Sequence, residues 1–198
     1  MRICFIGESY VAGTGDPAYL GWVGRLCASA SKDITAYNLG IRGATSTLIR
    51  KIWFEEAYAR LQGQPRAAVV FSLGTNDSAL EEGVPRVSVE GQIENTKVIL
   101  EVASVHWPTL MVGPPGLPVS ADGTARVADH AERCARTKKI CAECGVPYFD
   151  TLAAFSAFKS WRSEVAAGDG AHPGARGYAE MAEAVSAWPA WQNLIEGV

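Results

Sequence analysis

Residues 67–77 read Ala67-Ala68-Val69-Val70-Phe71-Ser72-Leu73-Gly74-Thr75-Asn76-Asp77. The first seven are apolar but for one serine, and the character then changes abruptly to glycine and small polar side chains. A run apolar at successive positions, and so on both of its alternating faces, is the pattern of a strand buried on both sides in the middle of a parallel sheet. The residues after it then stand at the carboxyl end of a central strand, the edge where ligands bind in open α/β sheets.

The same alternation extends in both directions. Upstream, Ser46 to Leu61 places Leu48, Ile52, Ala59 and neighbouring aromatics as a helix, and Ile34 to Leu39 reads as a strand. Tyr19 to Ser31 carries Leu20, Val23, Leu26 and Cys27 at helical spacing, and Arg2 to Gly7 is a short apolar run ending in glycine, a buried strand. Downstream, Val89 to Val105 reads as a helix with Ile93, Val98, Leu100 and Val102. Thr109 to Val112 is the fourth strand, Ala121 to Cys144 a long helix, and Val146 to Phe149 a short fifth strand. Pro173 to Trp188 is the closing helix, with proline at its start and Tyr178, Met181, Ala182 and Val185 on one face. Strand–helix alternation over the whole chain predicts a five-stranded parallel sheet with helices on both faces. The Gly/Pro cluster from Gly113 to Pro118 is then a loop after the fourth strand, and residues 1–198 are expected to form a single domain.

Composition narrows the function. At 48% hydrophobic and 20% charged the chain can bury a full core. A net charge of −3 argues against a nucleic-acid partner. No segment approaches the roughly 18 apolar residues of a membrane span. The apolar run at Met1 to Gly7 is shorter than the roughly 7–15 residues of a signal-peptide core and reads straight into a motif, so a cytoplasmic protein is expected. Five cysteines, an odd number, fit reduced thiols. His130, Cys134, Cys141 and Cys144 would share one helix face, but at about 1.5 Å rise per residue the ends lie about 21 Å apart. One straight helix therefore cannot wrap them round one metal. A buried stripe of small residues is expected, with a redox CxxC as the weaker alternative.

The residues just past the strands hold the polar chemistry. Ser9 follows the first strand in Phe5-Ile6-Gly7-Glu8-Ser9. Asn38-Leu39-Gly40-Ile41-Arg42-Gly43 follows the second, with two glycines three apart that suit tight turning and a free backbone N–H. Asn76 follows the third, and Asp169-Gly170-Ala171-His172-Pro173 precedes the closing helix. Each has a local explanation when taken singly: a serine cap, an ordinary loop, an Asx-turn, an N-capping aspartate. A phosphate cradle is not indicated, since neither GxGxxG nor GxxxxGK[ST] occurs at Gly40–Gly43 or at Gly13-Thr14-Gly15. Together, at one rim, the segments supply a nucleophile, a base, a group to orient the base and donors for an oxyanion, which is what ester hydrolysis needs.

The order Gly-Glu-Ser, Asn-x-Gly-x-x-Gly, Gly-x-Asn-Asp, Asp-x-x-His-Pro, running from residue 7 to residue 173, resembles the SGNH hydrolases, or GDSL esterases. The resemblance implies a flavodoxin-like three-layer α/β/α fold. It implies Ser9 as nucleophile, His172 as base and Asp169 as its partner. The oxyanion hole would be formed by the backbone N–H groups of Ser9 and Gly43 and the side-chain amide of Asn76. It implies acyl transfer that needs neither metal nor organic cofactor. Two departures stand beside the nucleophile: Glu8 where the family usually has Asp, and Tyr10 where it usually has Leu or Ile. Both are expected to bear on substrate fit rather than on the triad. A small-molecule ester with a small acyl group is the expected substrate, with the Gly113–Pro118 loop lining the acyl site. A sugar O-acetylesterase, a thioesterase or a lysophospholipase are alternatives within the class, and a non-catalytic flavodoxin-like binding module lies outside it.

Overall fold

The structure, a computed structural model, describes residues 1–30, 32–115 and 129–197. The first half of the chain runs β1 (Arg2–Gly7), α1 (Ser9–Ala12), α2 (Gly21–Ser29), β2 (Thr35–Gly40), α3 (Ser46–Leu61), β3 (Ala67–Ser72) and α4 (Thr75–Ser78). A small hairpin, β4 (Leu80–Glu81) and β5 (Val84–Pro85), precedes α5 (Val89–His106), β6 (Thr109–Val112), α6 (His130–Glu143) and β7 (Tyr148–Phe149). The chain closes with α7 (Thr151–Ala154), a 3₁₀ turn (Phe155–Ala157), α8 (Trp161–Ala167), α9 (Ala175–Ser186) and α10 (Pro189–Glu196). Among the described residues no helix is long and apolar enough to cross a membrane.

The main sheet has five strands in the order β2-β1-β3-β6-β7, and every pairing in it is parallel. This is the expected five-stranded sheet of a flavodoxin-like three-layer fold. Period-two alternation builds the two outer layers. Along β1, Ile3 and Phe5 enter one core with Trp22, Tyr178, Met181 and Trp191 from α2, α9 and α10. Cys4 and Ile6 enter the other with Ile49, Trp53, Ile99 and Cys141 from α3, α5 and α6. All six residues of β3 are buried, as its sequence requires of a central strand.

The connections leave β1 toward β2 on one side and return to β3 on the other, so the topological switch point lies between the carboxyl ends of β1 and β3. Ser9 opens α1 immediately past β1, and Asn76 sits in α4 just past β3. Gly7 makes that crevice narrow, because a Cβ on it would meet the Ser72 carbonyl oxygen at 1.9 Å.

Several boundaries differ from expectation. The expected closing helix is α9, which starts at Ala175 behind an N-cap at Gly174 and ends at Ser186, and a further helix, α10, begins at Pro189. Trp188, extended as a residue before proline must be, separates them. Pro173 therefore lies ahead of the helix and not at its first position. In α10, Trp191 packs on Phe5 at 6.1 Å between ring centroids, while Trp188 meets Phe149 at 5.6 Å. The helix expected from Tyr19 starts at Gly21, because Asp16 draws the N–H groups of Ala18, Leu20 and Gly21 into a turn that Arg25 closes. In the long helix expected over Ala121–Cys144, α6 occupies His130–Glu143, and residues 121–128 lie outside the described residues. His130, Cys134 and Cys141 on its inner face are buried.

Helices α8 and α9 cap each other. The Glu180 carboxylate of α9 accepts from the N–H groups of Lys159, Ser160 and Trp161 ahead of and at the start of α8. Glu164 of α8 accepts from those of Arg176 and Gly177 in the first turn of α9. These bonds satisfy donors that helix starts leave open, and those of Glu164 tie α8 to the start of α9 across the loop that carries Asp169 and His172.

Candidate active site

A hydrogen-bonded chain joins three of the residues singled out in the sequence. His172 Nε2 lies 2.8 Å from Ser9 Oγ, and His172 Nδ1 lies 2.7 Å from Asp169 Oδ2. With the proton on Nδ1, the imidazole donates to Asp169 and accepts from the Ser9 hydroxyl. Asp169 also turns its own loop into a cradle, its Oδ1 accepting from the N–H groups of Ala171 at 3.0 Å and His172 at 2.8 Å. Burial alone would raise its pKa; the His172 and Ala171 N–H groups and the imidazole outweigh that and hold it down to about 2. Asp169 is thus an anion at neutral pH. Arg42 stands by it at 3.7 Å, on a largely exposed side chain.

The sequence leads one to expect His172 at a helix N-terminus, feeling the helix dipole. It is not there: two residues, Pro173 and Gly174, separate it from the first residue of α9. The loop is instead fixed by side chains, and Tyr10 is foremost among them. Its hydroxyl donates to the Ala171 carbonyl at 2.8 Å, while its ring packs 5.3 Å from the imidazole and 5.8 Å from Trp161. The peptide group between Ala171 and His172 is therefore gripped at its oxygen by Tyr10 and at its N–H by Asp169.

The residues expected to supply oxyanion donors come from three segments. Ser9 is the first residue of α1, so its N–H has no carbonyl of that helix to donate to. Gly43 has φ 78°, a left-handed conformation that favours glycine, with open space around its α-carbon. Its carbonyl is held by Arg86 Nη1 at 2.9 Å, from the segment after the hairpin, an element the sequence did not signal. Asn76 does not form the Asx-turn that was its local explanation. Its Nδ2 donates to Ala44 O at 3.0 Å, bringing it against the Gly43 turn, and to Glu8 Oε2 at 2.6 Å. Asp77 beside it points the other way and accepts from Ser46 N at 2.9 Å, tying the start of α3 to α4. Burial pushes the Asp77 carboxyl up to about 6.

Glu8 is the residue whose place the sequence misjudged. Read as a flanking change, it is only 1% exposed, and its carboxylate also takes the backbone N–H groups of Thr75 and Asn76, each at 3.0 Å. The available signal was its position: a charged side chain directly after a buried apolar strand must find partners or lose its charge.

The other two histidines stand apart. His106 ends α5 at the opposite edge of the sheet, against Phe54 and Trp107. His130 is buried at the start of α6, and burial lowers its pKa to about 4. Of the glycine- and proline-rich loop after β6, Pro114 and Pro115 abut the Asn76 block, with Pro115 O accepting from Thr75 Oγ1 at 3.3 Å. Residues 116–118 lie outside the described residues.

No curated protein sequence matches the chain. Solved structures do. The chain is similar to a lipase/acylhydrolase from Enterococcus faecalis at 20% identity, with 93% of each chain covered and a TM-score of 0.71. It is similar to Axe2, an acetylxylan esterase from Geobacillus stearothermophilus, at 19% identity, with 96% of this chain and 95% of that one covered and a TM-score of 0.73. LAE5, an α/β hydrolase enzyme from the metagenome of Lake Arreo, Spain, gives 17% identity, 98% and 95% coverage and a TM-score of 0.76. At such identities the likeness carries the fold. The family rests on the sequence itself, where a model of the GDSL-like lipase/acylhydrolase family matches residues 5–180. The chain belongs to that family and is a hydrolase of ester bonds.

Proposed function

We propose that the protein is a serine esterase acting on esters of small acyl groups through Ser9, His172 and Asp169. The observation that carries this reading is the unbroken chain Asp169 Oδ2, His172, Ser9 Oγ, with links of 2.7 and 2.8 Å. His172 takes the Ser9 proton as Oγ attacks the ester carbonyl. The oxyanion rests on the N–H groups of Ser9 and Gly43 and on the Asn76 amide. His172 then protonates the leaving alcohol, and water repeats the sequence to release the acid. The ionised Asp169 keeps the proton on Nδ1 and so leaves Nε2 free to act as base. Residues 1–198 serve as one domain around this one site.

The small acyl preference follows from reading the loop after β6 as the lining of a modest apolar acyl pocket, a loop whose Pro114 and Pro115 stand beside Gly74 and Thr75. It is tested with p-nitrophenyl esters of increasing chain length, run beside acetylated sugars and acyl-CoA. The expected result is kcat/KM highest for acetate and falling with length. A maximum at long acyl chains, or on acyl-CoA, would move the assignment to a lysophospholipase or a thioesterase. Axe2, one of the similar structures, is an acetylxylan esterase, which makes acetylated sugars the natural comparison substrate.

Asn76→Ala tests the donor side. A donor aimed at charge that develops in the transition state acts on kcat, and losing one costs roughly 10²–10³ in rate. The expected result is that loss in kcat with KM little changed. A rise in KM alone would make Asn76 a ground-state binding residue.

A further inference from the structure

We propose that Glu8 is a positioning residue of the oxyanion hole, its buried carboxylate fixing the side-chain amide of Asn76 with the nitrogen toward the Gly43 turn. The inference rests on the reading of Asn76 given above and adds a residue to it.

An asparagine side chain can turn over and exchange its oxygen for its nitrogen at little cost unless its surroundings distinguish the two. Here they do, because two acceptors converge on Nδ2: Glu8 Oε2 at 2.6 Å and Ala44 O at 3.0 Å. An amide oxygen in that place would face both. The two contacts differ in kind. The carboxylate bond is charge-assisted and short, and so holds one hydrogen firmly. The other hydrogen goes to a neutral carbonyl that borders Gly43, and an oxyanion arriving there competes with the weaker of the two bonds. The same carboxylate takes the backbone N–H groups of Thr75 and Asn76, which anchors α4 to the residue preceding the nucleophile. Glu8 thus ties the donor to the attacking group by one residue of chain.

The ionised form suits this task, since it is all acceptor and three donors point at it. Burial opposes ionisation and pushes Glu8 up to about 7, against the pull of the Asn76 and Thr75 hydrogen bonds. Asp77 on α4 adds to the upward push. The remaining titratable neighbours are Tyr10 on α1, whose hydroxyl burial keeps protonated, and His172 beyond Ser9. Glu8 must then lose its proton before its carboxylate can hold the amide as an acceptor only.

The test is a set of pH profiles and a double-mutant cycle on p-nitrophenyl acetate, using wild type, Glu8→Gln, Asn76→Ala and the double variant, with Ser9→Ala as reference. On the acid side, log kcat/KM of the wild type is expected to climb more steeply with pH than that of Glu8→Gln, which has no proton to lose there. Glu8→Gln should lower kcat by about 10- to 100-fold at pH 8 with KM within a few-fold, part of the loss for removing the donor itself. In the Asn76→Ala background the same change should cost less than about threefold, because the two residues act as one unit. Independent, additive losses would overturn the proposal, as would an acid-side limb no steeper in the wild type than in Glu8→Gln. Glu8→Asp, which keeps the charge, should recover most of the activity; failure of Asp to do better than Gln would also overturn it. If Ser9→Ala stays inactive while the cycle is additive, only the role of Glu8 falls. An active Ser9→Ala would instead overturn the reading of the whole site.

Discussion

Ser9→Ala should lower kcat by about 10⁶ and leave the fold unchanged. Loss of the nucleophile from a serine triad removes nearly everything the triad contributes, because its members act as a unit and cannot work singly. The structure gives a reason to expect a folded variant. Among the described residues the Ser9 side chain makes one hydrogen bond, to His172, and the change to alanine removes only the hydroxyl oxygen. Alanine is also favourable at a helical position such as the first residue of α1. The measurement is kcat on p-nitrophenyl acetate beside a thermal melt. Activity within tenfold of wild type, at an unchanged melting temperature, would remove Ser9 from the mechanism.

His172→Ala should cost about as much, roughly 10⁶ in kcat, while His106→Ala and His130→Ala should leave turnover per folded molecule close to wild type. The chain has only these three histidines, and only His172 touches Ser9. His130→Ala carries a separate cost in stability, since it empties a buried position in α6, so its activity must be referred to the folded fraction. Asp169→Asn completes the set. It keeps the size of the side chain but replaces the anion that orients the ring, and the loss expected is about 10⁴ in kcat from the wrong tautomer. Backbone N–H groups of Ala171 and His172 can still bond the remaining amide oxygen, so the loop should hold its shape. If His106→Ala or His130→Ala abolished turnover in a folded protein, the base would be misassigned.

What the sequence made legible follows from where burial decides structure. The strands of a parallel sheet must be apolar on both faces, so β1, β3 and β6 stand out as runs, and α3 falls at the expected Ser46–Leu61. The residues past the strands were legible because the fold brings the carboxyl ends of β1 and β3 together at the switch point, with Ser9 on one and Asn76 on the other. Short elements were not legible. Four-residue helices such as α4 and α7 carry no period to read. The start of α8 depends on Glu180, about twenty residues away on α9, and α9 depends in turn on Glu164. Such capping across helices leaves no local pattern, so the segment between β7 and Asp169 offers nothing to read. Glu8 and Tyr10 stand out in the sequence only as departures from a family pattern, at the margin of the chemistry. Their side chains turn inward instead, one to Asn76 and one to Ala171. A sequence shows the identity of a nucleophile's neighbours but not which way they face.

Whether Ser9 is an activated nucleophile is tested most directly by covalent labelling. The protein is treated with a fluorophosphonate serine reagent, digested, and the adduct mapped by mass spectrometry, with His172→Ala treated in parallel. The expected result is one adduct, on the peptide containing Ser9, with loss of esterase activity in proportion to labelling and little or no labelling of His172→Ala. A folded protein that takes no label, as a non-catalytic binding module would, or that is inactivated by an adduct on another residue, would contradict it.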